Sequence, residues 1–370
     1  MKITTIEPIV LALPYTHGGP PTGFGGREWT TLDYLIVRVE TDEGIVGYGE
    51  GFGYNIIPAT RTALDTVIAP LVLGADPADI DGISSMLERT LVLFGRSGPS
   101  IYAQSALNLA LWDIAGKRAG VPVSRLLGGQ LVNGQPRDSV RAYASLLWLG
   151  DPAVVAAECE RAAAAGFAGV KLHETDAASV NAARAAVGPG TELMLDANCT
   201  WTVAEAIAAG QDFVPAGLAW WEEPLWPPES AAGLREIRAA VPIPLAAGEN
   251  ATTVAEFDAL AAPGGCDYLQ PSVTKTGGIT GFARLARAAL ERGASVVPHS
   301  PYFGPGLLAT LQLAAVFPEI QWLEYLWAEL AAPVFGDAGR PDSQGAVAIP
   351  AGPGLGADPD PEVVKKYRVA

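Results

Sequence analysis

The chain has 370 residues, 49% of them hydrophobic, and carries 24 basic against 40 acidic side chains for a formal net charge of −16. That length holds a barrel of about 250 residues with a further domain of roughly 100, and the apolar fraction excludes a disordered chain. Such acidity repels phosphate backbones and anionic lipid, so no nucleic-acid or membrane partner is expected, and an anionic substrate would need a local cation to approach.

No run nears the ~18 apolar residues of a membrane span, and Thr4, Thr5, Glu7 and Pro8 interrupt the apolar stretch a signal peptide would need. Cys159, Cys199 and Cys266 are odd in number, scattered and without a CxxC, which fits reduced thiols and a cytoplasmic location. Residues 3–13 and 31–50 read as strands, the second span turning at Asp42-Glu43-Gly44. Between them lies HGGPPTGFGG (17–26), a loop by its glycines and prolines. Helical patterns follow at about 58–72, 78–93 and 100–119, the last ending at Gly120 before Pro122. Strands followed by helices make an α+β domain, expected over residues 1–125.

From Val140 the rhythm changes to short apolar strands at 140–145, 168–172, 192–196, 218–222, 244–248, 267–270, 295–298 and 321–324, with Ala-rich helices such as 152–166 and 278–293 between them. Eight strands alternating with helices predict an α/β fold, a (β/α)8-type TIM barrel over residues 126–328. The tail, 329–370, with a short strand at 346–350, is expected to pack back on the first domain and complete it as a cap.

Asp196, Glu222 and Glu249 each end an apolar run (ELMLD, LAWWE, PLAAGE) and stand 26 and 27 residues apart. In a barrel that period gathers the strands' C-terminal ends on one face. Three carboxylates meeting there repel one another unless a cation holds them, and their hard oxygens suit Mg2+, with Mn2+ as a substitute. One such acid alone reads more readily as a solvated strand end; three in register favour the metal. Asn198 lies two residues past Asp196, on the same face if the strand continues. Lys171 and His173 form K-x-H at the end of the second strand, both pointing into the barrel mouth. His299 ends the seventh strand and Glu324 the eighth; a hydrogen-bonded structural histidine and a surface acid are the alternatives. Cys199 falls close to Asp196 in sequence, though a small buried hydrophobe is its expected role.

VKLH (170–173), LDAN (195–198), WEEP (221–224), AGEN (247–250), TKTGGITG (274–281), VPH (297–299) and WLE (322–324), with LNLALWDIAGKRAGVPVSRLLGG (107–129) before them and AIPAGPGLG (348–356) after, follow in an order and spacing that resemble the mandelate racemase and muconate lactonizing branch of the enolase superfamily. The resemblance spans essentially the whole chain. It implies an enolase-like, modified barrel in which Asp196, Glu222 and Glu249 bind Mg2+ and Asn198 supports them. It further implies a base on Lys171 or His173, an opposing acid/base at His299, and a hydrogen bond from Glu324 to a substrate carboxylate oxygen. The shared reaction is removal of a proton α to a carboxylate, with the enediolate stabilised by the metal.

Two residues depart from that pattern. His173 stands where the mandelate racemase pattern has Lys, and Ser272 stands where an Asp pairs with the strand-seven His, or where a catalytic Lys sits in the muconate lactonizing pattern. A serine cannot stabilise an imidazolium as a carboxylate would, so His299 is expected to donate a proton or only to hydrogen-bond. Lys275 is a nearby alternative. The loops His17–Arg27 and Ser300–Gly306 are expected to border the substrate through His17, Arg27, Tyr302 and Phe303, with loop packing as the alternative, and Trp148 and Trp201 to narrow the pocket. The expected activity is dehydration of a sugar acid or small hydroxy acid, followed by racemisation or epimerisation, then cycloisomerisation, then a non-catalytic metal-binding relative. The resemblance also implies a homo-oligomer.

Overall fold

The β-branched runs of the first fifty residues pair as an antiparallel meander, β1 (Ile3–Thr16), β2 (Thr31–Thr41) and β3 (Val46–Gly51). The computed structural model describes every residue except 24–26, 129, 130, 133, 134 and 370; three residues of the 17–26 loop and the last residue of the 107–129 motif therefore lie outside the described residues. The sheet is covered by α1 (Ile57–Ala63), α2 (Ala69–Val72), α3 (Ile80–Thr90) and α4 (Pro99–Ala119). The expected 58–72 helix is broken by a π-helical turn over Leu64–Ile68, just ahead of Pro70, which has no N–H for the helical ladder. Helix α4 is buried on nearly every side because it lies between the sheet and the barrel. A Cβ at Gly49 would fall 1.9 Å from the Ala106 carbonyl oxygen, so glycine lets β3 rest directly on α4.

After α5 (Val123–Leu126) and the small hairpin β4 (Leu131–Val132) and β5 (Gln135–Pro136), strands and helices alternate. They run β6 (Ser139–Ser145), α6 (Pro152–Ala164), β7 (Gly169–Leu172), α7 (Ala177–Val187), β8 (Glu192–Asp196), α8 (Val203–Phe213), β9 (Trp220–Glu222) and α9 (Ala231–Ala240). The series continues β10 (Leu245–Ala247), α10 (Val254–Leu260), β11 (Tyr268–Leu269), α11 (Gly278–Glu291), β12 (Ser295–Val296), α12 (Pro305–Val316) and β13 (Trp322–Leu326). Asp151, Asp176, Thr202, Ser230 and Thr253 cap the N-termini of α6 to α10 through their side-chain oxygens, which fixes where each strand-to-helix loop ends.

The eight strands form one parallel sheet in the order β12-β11-β10-β9-β8-β7-β6-β13, curled as a half-barrel. Tyr143, Met194, Trp220, Ala246 and Val297, from strands around the sheet, meet in one inner cluster. No ladder joins β12 to β13 among the described residues; instead the Ser300 N–H and hydroxyl donate to Glu324 Oε2 and to the Glu324 carbonyl, each at 2.9 Å, and stitch the two ends together. The tail touches both layers. Strands β14 (Glu329–Leu330) and β15 (Ala346–Ala348) pair with β1 and β6 respectively, so the short strand expected on the cap lies on the barrel sheet. Beyond α13 (Pro361–Tyr367), Arg368 pairs with Glu7 at 2.8 Å and returns the chain to β1. No described helix is long and apolar enough to cross a membrane.

Candidate active site at the ends of the barrel strands

Asp196 and Glu222 are the last residues of β8 and β9, and Glu249 follows β10 by two; one oxygen from each lies within 4.8 Å of the others. The strand register causes this, since Asp196 is paired directly with Glu222. Asn198, in a left-handed conformation (φ 43°), turns back so that its backbone N–H and its amide donate to Asp196 Oδ1 at 2.9 and 3.0 Å. Three hard, converging oxygen donors with one of the acids anchored from behind fit a divalent cation of the Mg2+ type.

Lys171, 1% exposed, threads among the acids. Its Nζ stands 2.8 Å from Glu324 Oε1, 3.1 Å from Glu222 Oε1 and 3.3 Å from Asp196 Oδ2. Burial would lower its pKa, but Glu222 and Glu324 outweigh that and hold it well above the usual lysine range. Burial likewise opposes ionisation of Asp196, which the Lys171 charge and His173 nevertheless hold at about 2. Lys275 and His299 overcome burial to hold Glu249 well below the ordinary range. Glu222 goes the other way, raised well above it by burial and then by the Asp196 charge. Glu324 is lowered against its burial by Lys171 and His299. In this arrangement the Glu324 carboxylate accepts from Lys171 and the Ser145 hydroxyl at Oε1 and from the Ser300 N–H at Oε2.

The two histidines enter from different sides. His173 Nδ1 is bonded to the Leu146 carbonyl oxygen, which can only accept, so Nδ1 bears the hydrogen and Nε2 faces Asp196 Oδ2 at 3.2 Å. His299 Nε2 lies 2.8 Å from Glu249 Oε2 and its Nδ1 3.3 Å from the Tyr302 hydroxyl. Lys275 Nζ sits 3.9 Å from Glu249 Oε1 and 4.1 Å from the centre of the Phe52 ring.

Lys171, His173, Asp196, Glu249, Lys275 and His299 floor a cavity of about 510 Å3 that also takes in Asn198 and Glu324, while Glu222 is fully buried and does not line it. Its walls are Trp29, Phe52, Tyr54 and Tyr102 from the cap and Trp226 and Leu326 from the barrel. Several expected contacts do not line it. Tyr302 is buried behind His299, and Phe303 packs edge-on against Tyr34 and Tyr325. Trp201 faces the helix layer against Phe213 and Trp221, and His17 is buried with Nε2 on the Pro20 carbonyl. Arg27 is exposed and, with Trp148, lines an adjoining pocket of about 490 Å3 that shares His173, Asp196 and Asn198. Cys199 is not a buried filler: it lines the main cavity, and its thiol donates to Glu223 Oε2 at 3.1 Å. The sequence reading missed the cap aromatics; their one signal is the aromatic-Gly-aromatic run Phe52-Gly53-Tyr54 directly after β3.

Comparison with known proteins agrees with this geometry. The family described as enolase C-terminal domain-like matches residues 154–363, and the mandelate racemase / muconate lactonizing enzyme N-terminal domain matches residues 20–128. The chain is 33% identical over 359 residues to the D-galactarolactone cycloisomerase of Agrobacterium fabrum, covering 91% of each. It is 31% identical over 329 residues to the L-talarate/galactarate dehydratase of Salmonella typhimurium, covering 85% of this chain and 78% of the other. The crystal structure of a member of the enolase superfamily from Polaromonas sp. JS666 superimposes with a TM-score of 0.89 at 30% identity, over 100% of this chain and 98% of that one.

Proposed function

Since the chain belongs to the mandelate racemase and muconate lactonizing branch of the enolase superfamily, and is an enzyme of lyase or isomerase type, we propose that it dehydrates a sugar acid or small hydroxy acid. The reaction begins by loss of the proton α to the carboxylate. Members of the superfamily use a divalent metal, usually Mg2+, and the three acids can hold one. A cation bound by Asp196, Glu222 and Glu249 supplies Lewis-acid stabilisation of the charge that develops on the substrate carboxylate.

The chain's own groups divide the remaining work. His173 Nε2 takes the α-proton as the C–H electron pair moves toward the carboxylate. Lys171 is unsuited to that role because the Asp196 and Glu324 carboxylates hold its proton; its ammonium balances charge beside the substrate carboxylate, steadied by Glu324. His299 Nε2 then gives a proton to the β-hydroxyl as the C–O bond breaks with its electron pair, and water leaves. The resulting enol tautomerises to a 2-oxo acid.

The observation that carries this reading is the Nδ1 partner of His299, a tyrosine hydroxyl with no carboxylate behind it. Racemisation needs a competent base on each face, whereas elimination needs one base and one acid. Cycloisomerisation is the second reading, favoured by the 33% identical cycloisomerase, with a ring oxygen leaving in place of a hydroxyl. Acid sugars, small hydroxy acids and their lactones, incubated with Mg2+ in deuterated water, separate these cases. A 2-oxo acid product supports dehydration, and turnover of lactones alone supports cycloisomerisation. Exchange of the α-hydrogen without elimination would transfer the assignment to a racemase or epimerase. No turnover, with Glu249→Gln altering only thermal stability, would leave a non-catalytic relative.

The same reading includes Mg2+ with Mn2+ as substitute, a cap over 1–125, a barrel over 126–328, a returning tail over 329–370, a cytoplasmic location and a homo-oligomer that light scattering would detect. Family matches meeting between residues 128 and 154 support the two-part division.

A further inference from the structure

The wall facing the reacting groups is a run of aromatic rings in contact with one another. Trp29 stacks on Tyr54 with centroids 4.7 Å apart, Tyr54 meets Phe52 edge-on at 5.3 Å, and Phe52 meets Tyr102 edge-on at 5.1 Å. The run starts beside the chemistry, since the Phe52 ring also stands edge-on to His299 at 6.4 Å. Trp226, in the loop after β9, lines the same cavity and is 68% exposed, a large apolar surface that the fold leaves uncovered. Beyond the groups at the acid cluster, the polar side-chain atoms of this wall are the Tyr54 and Tyr102 hydroxyls, the Asn55 amide and the indole N–H groups of Trp29 and Trp226. Of these the Trp29 N–H is already given to Asn55 Oδ1 at 3.1 Å. No arginine is among the described residues that line the cavity.

We infer that the acid accepted is apolar beyond its β-carbon: an α,β-dihydroxy monocarboxylate whose β-carbon carries an aryl or alkyl group, in preference to an aldonate or an aldarate. The inference rests on the proposed elimination, which puts the β-carbon at His299 and so its substituent against Phe52 and Tyr102. An aryl or alkyl group there leaves water for the faces and edges of rings. A sugar acid carries hydroxyls at the same place, and each gives up water for a wall with few partners to offer. The far carboxylate of an aldarate would meet no guanidinium on that wall. The adjoining pocket does hold Arg27, together with Thr22, Thr175 and Thr200, but it opens on His173 and not on His299. A chain that grows from the β-carbon therefore leads away from it.

Two α,β-dihydroxy acids, one with phenyl and one with butyl on the β-carbon, are compared with aldonates and aldarates, each with Mg2+ and the full chain. Calorimetry reads binding, proton NMR in deuterated water reads α-hydrogen exchange, and 2-oxo acid formation reads elimination. The phenyl or butyl acid should bind, and turn over in kcat/KM, about 100-fold better than the best sugar acid, the scale on which an apolar pocket discriminates against an added hydroxyl. Phe52→Gln, which keeps the length of the side chain and removes the ring, should narrow that preference about tenfold through KM with kcat little changed. Trp226→Ala, at an exposed position, should narrow it in the same sense whether or not Phe52→Gln folds. Equal or tighter binding of an aldonate or aldarate would overturn the inference, and elimination from that sugar acid would leave the dehydratase reading standing. Preference for the apolar acids with exchange but no elimination would overturn the dehydratase reading and leave the apolar end standing. A preference unchanged in both variants, or a fall in kcat shared by every acid, would make the rings structural support and also count against the inference.

Discussion

Binding of Mg2+ should release a proton, and Glu222 is its source. Burial, then the Asp196 charge, raises the Glu222 carboxyl well above the ordinary range, whereas Asp196 is held at about 2 and Glu249 well below its usual value. A carboxylate ligand must be deprotonated, so the cation has to displace the proton that Glu222 keeps in the metal-free protein. Below the elevated Glu222 value, affinity should therefore fall about tenfold, or ~1.4 kcal/mol, for each unit of pH drop. Trp220 Nε1 lies 3.4 Å from Glu222 Oε2, which makes indole fluorescence a reporter of the event. Fluorescence titrations across pH ~5.5 to ~8.5, with calorimetry in two buffers of unlike ionisation enthalpy, measure the slope and count the protons. Affinity flat across that range with no proton released would refute the reasoning. The same shifts set the stability of the metal-free fold. A carboxyl whose folded pKa is raised contributes stability that is present at low pH and lost as pH rises through the folded value, so Glu222 should lower the metal-free Tm on the alkaline side, and Mg2+ should restore it. Asp196 has the opposite sign: its contribution is present above the unfolded value of ~3.9 and lost as pH falls toward about 2.

Lys171→Met leaves buried carboxylates without their cation, a change on the order of 3–5 kcal/mol. For a chain of 370 residues that corresponds to a metal-free Tm lower by ~4–6 °C by differential scanning calorimetry, and added Mg2+ should raise the variant's Tm more than the parent's. His173→Asn should reduce α-hydrogen exchange by roughly 10²–10⁴-fold, the scale of one general base, as followed by proton NMR in deuterated water; retained exchange would move the base to Lys171. Phe52→Ala removes the ring that Lys275 lies over at 4.1 Å and opens the cavity wall, so steady-state kinetics should show a raised KM while the Mg2+ titration is unchanged. Gly49→Ala drives a methyl into the Ala106 carbonyl and should cost about 1–3 kcal/mol in denaturant unfolding.

The acids were legible because a barrel repeats. Asp196, Glu222 and Glu249 are spaced by the length of one strand, helix and their loops, and parallel pairing turns that spacing into proximity. Lys171 and His173 were legible from alternation alone. What spacing could not show is which way a side chain turns once the strand has ended. Tyr302 follows His299 by three residues in a loop expected to meet the substrate, but its N–H closes a tight turn on the Ser300 carbonyl at 2.7 Å, and Ser300 is tied to Glu324. That turn folds the phenol behind the imidazole, where it meets Ser272 and Thr274. Phe303 is carried past the mouth in the same way, to Tyr34 of the cap.

The cavity walls were hidden for a different reason. Phe52, Tyr54 and Trp29 belong to the meander, and nothing in their own periodicity says that β3 will lie on α4 with its C-terminal end over the barrel mouth. Their placement is a product of docking, made by the close approach at Gly49, by Asn108 and Trp112 donating to the Thr280 hydroxyl at 2.9 and 3.0 Å, and by Glu50 accepting the Gly306 N–H at 2.8 Å. The division has a chemical consequence. Every group to which the proposed reaction gives a proton to hold or move is on a barrel strand or the loop following it, whereas most of the aromatic surface facing them comes from the cap, which packs on the barrel through a shared apolar core. Substitutions in that layer can therefore change which acid is accepted without disturbing how its α-proton is removed. The departures at His173 and Ser272 lie on the barrel side of that division, where the proposed reaction places its proton transfers.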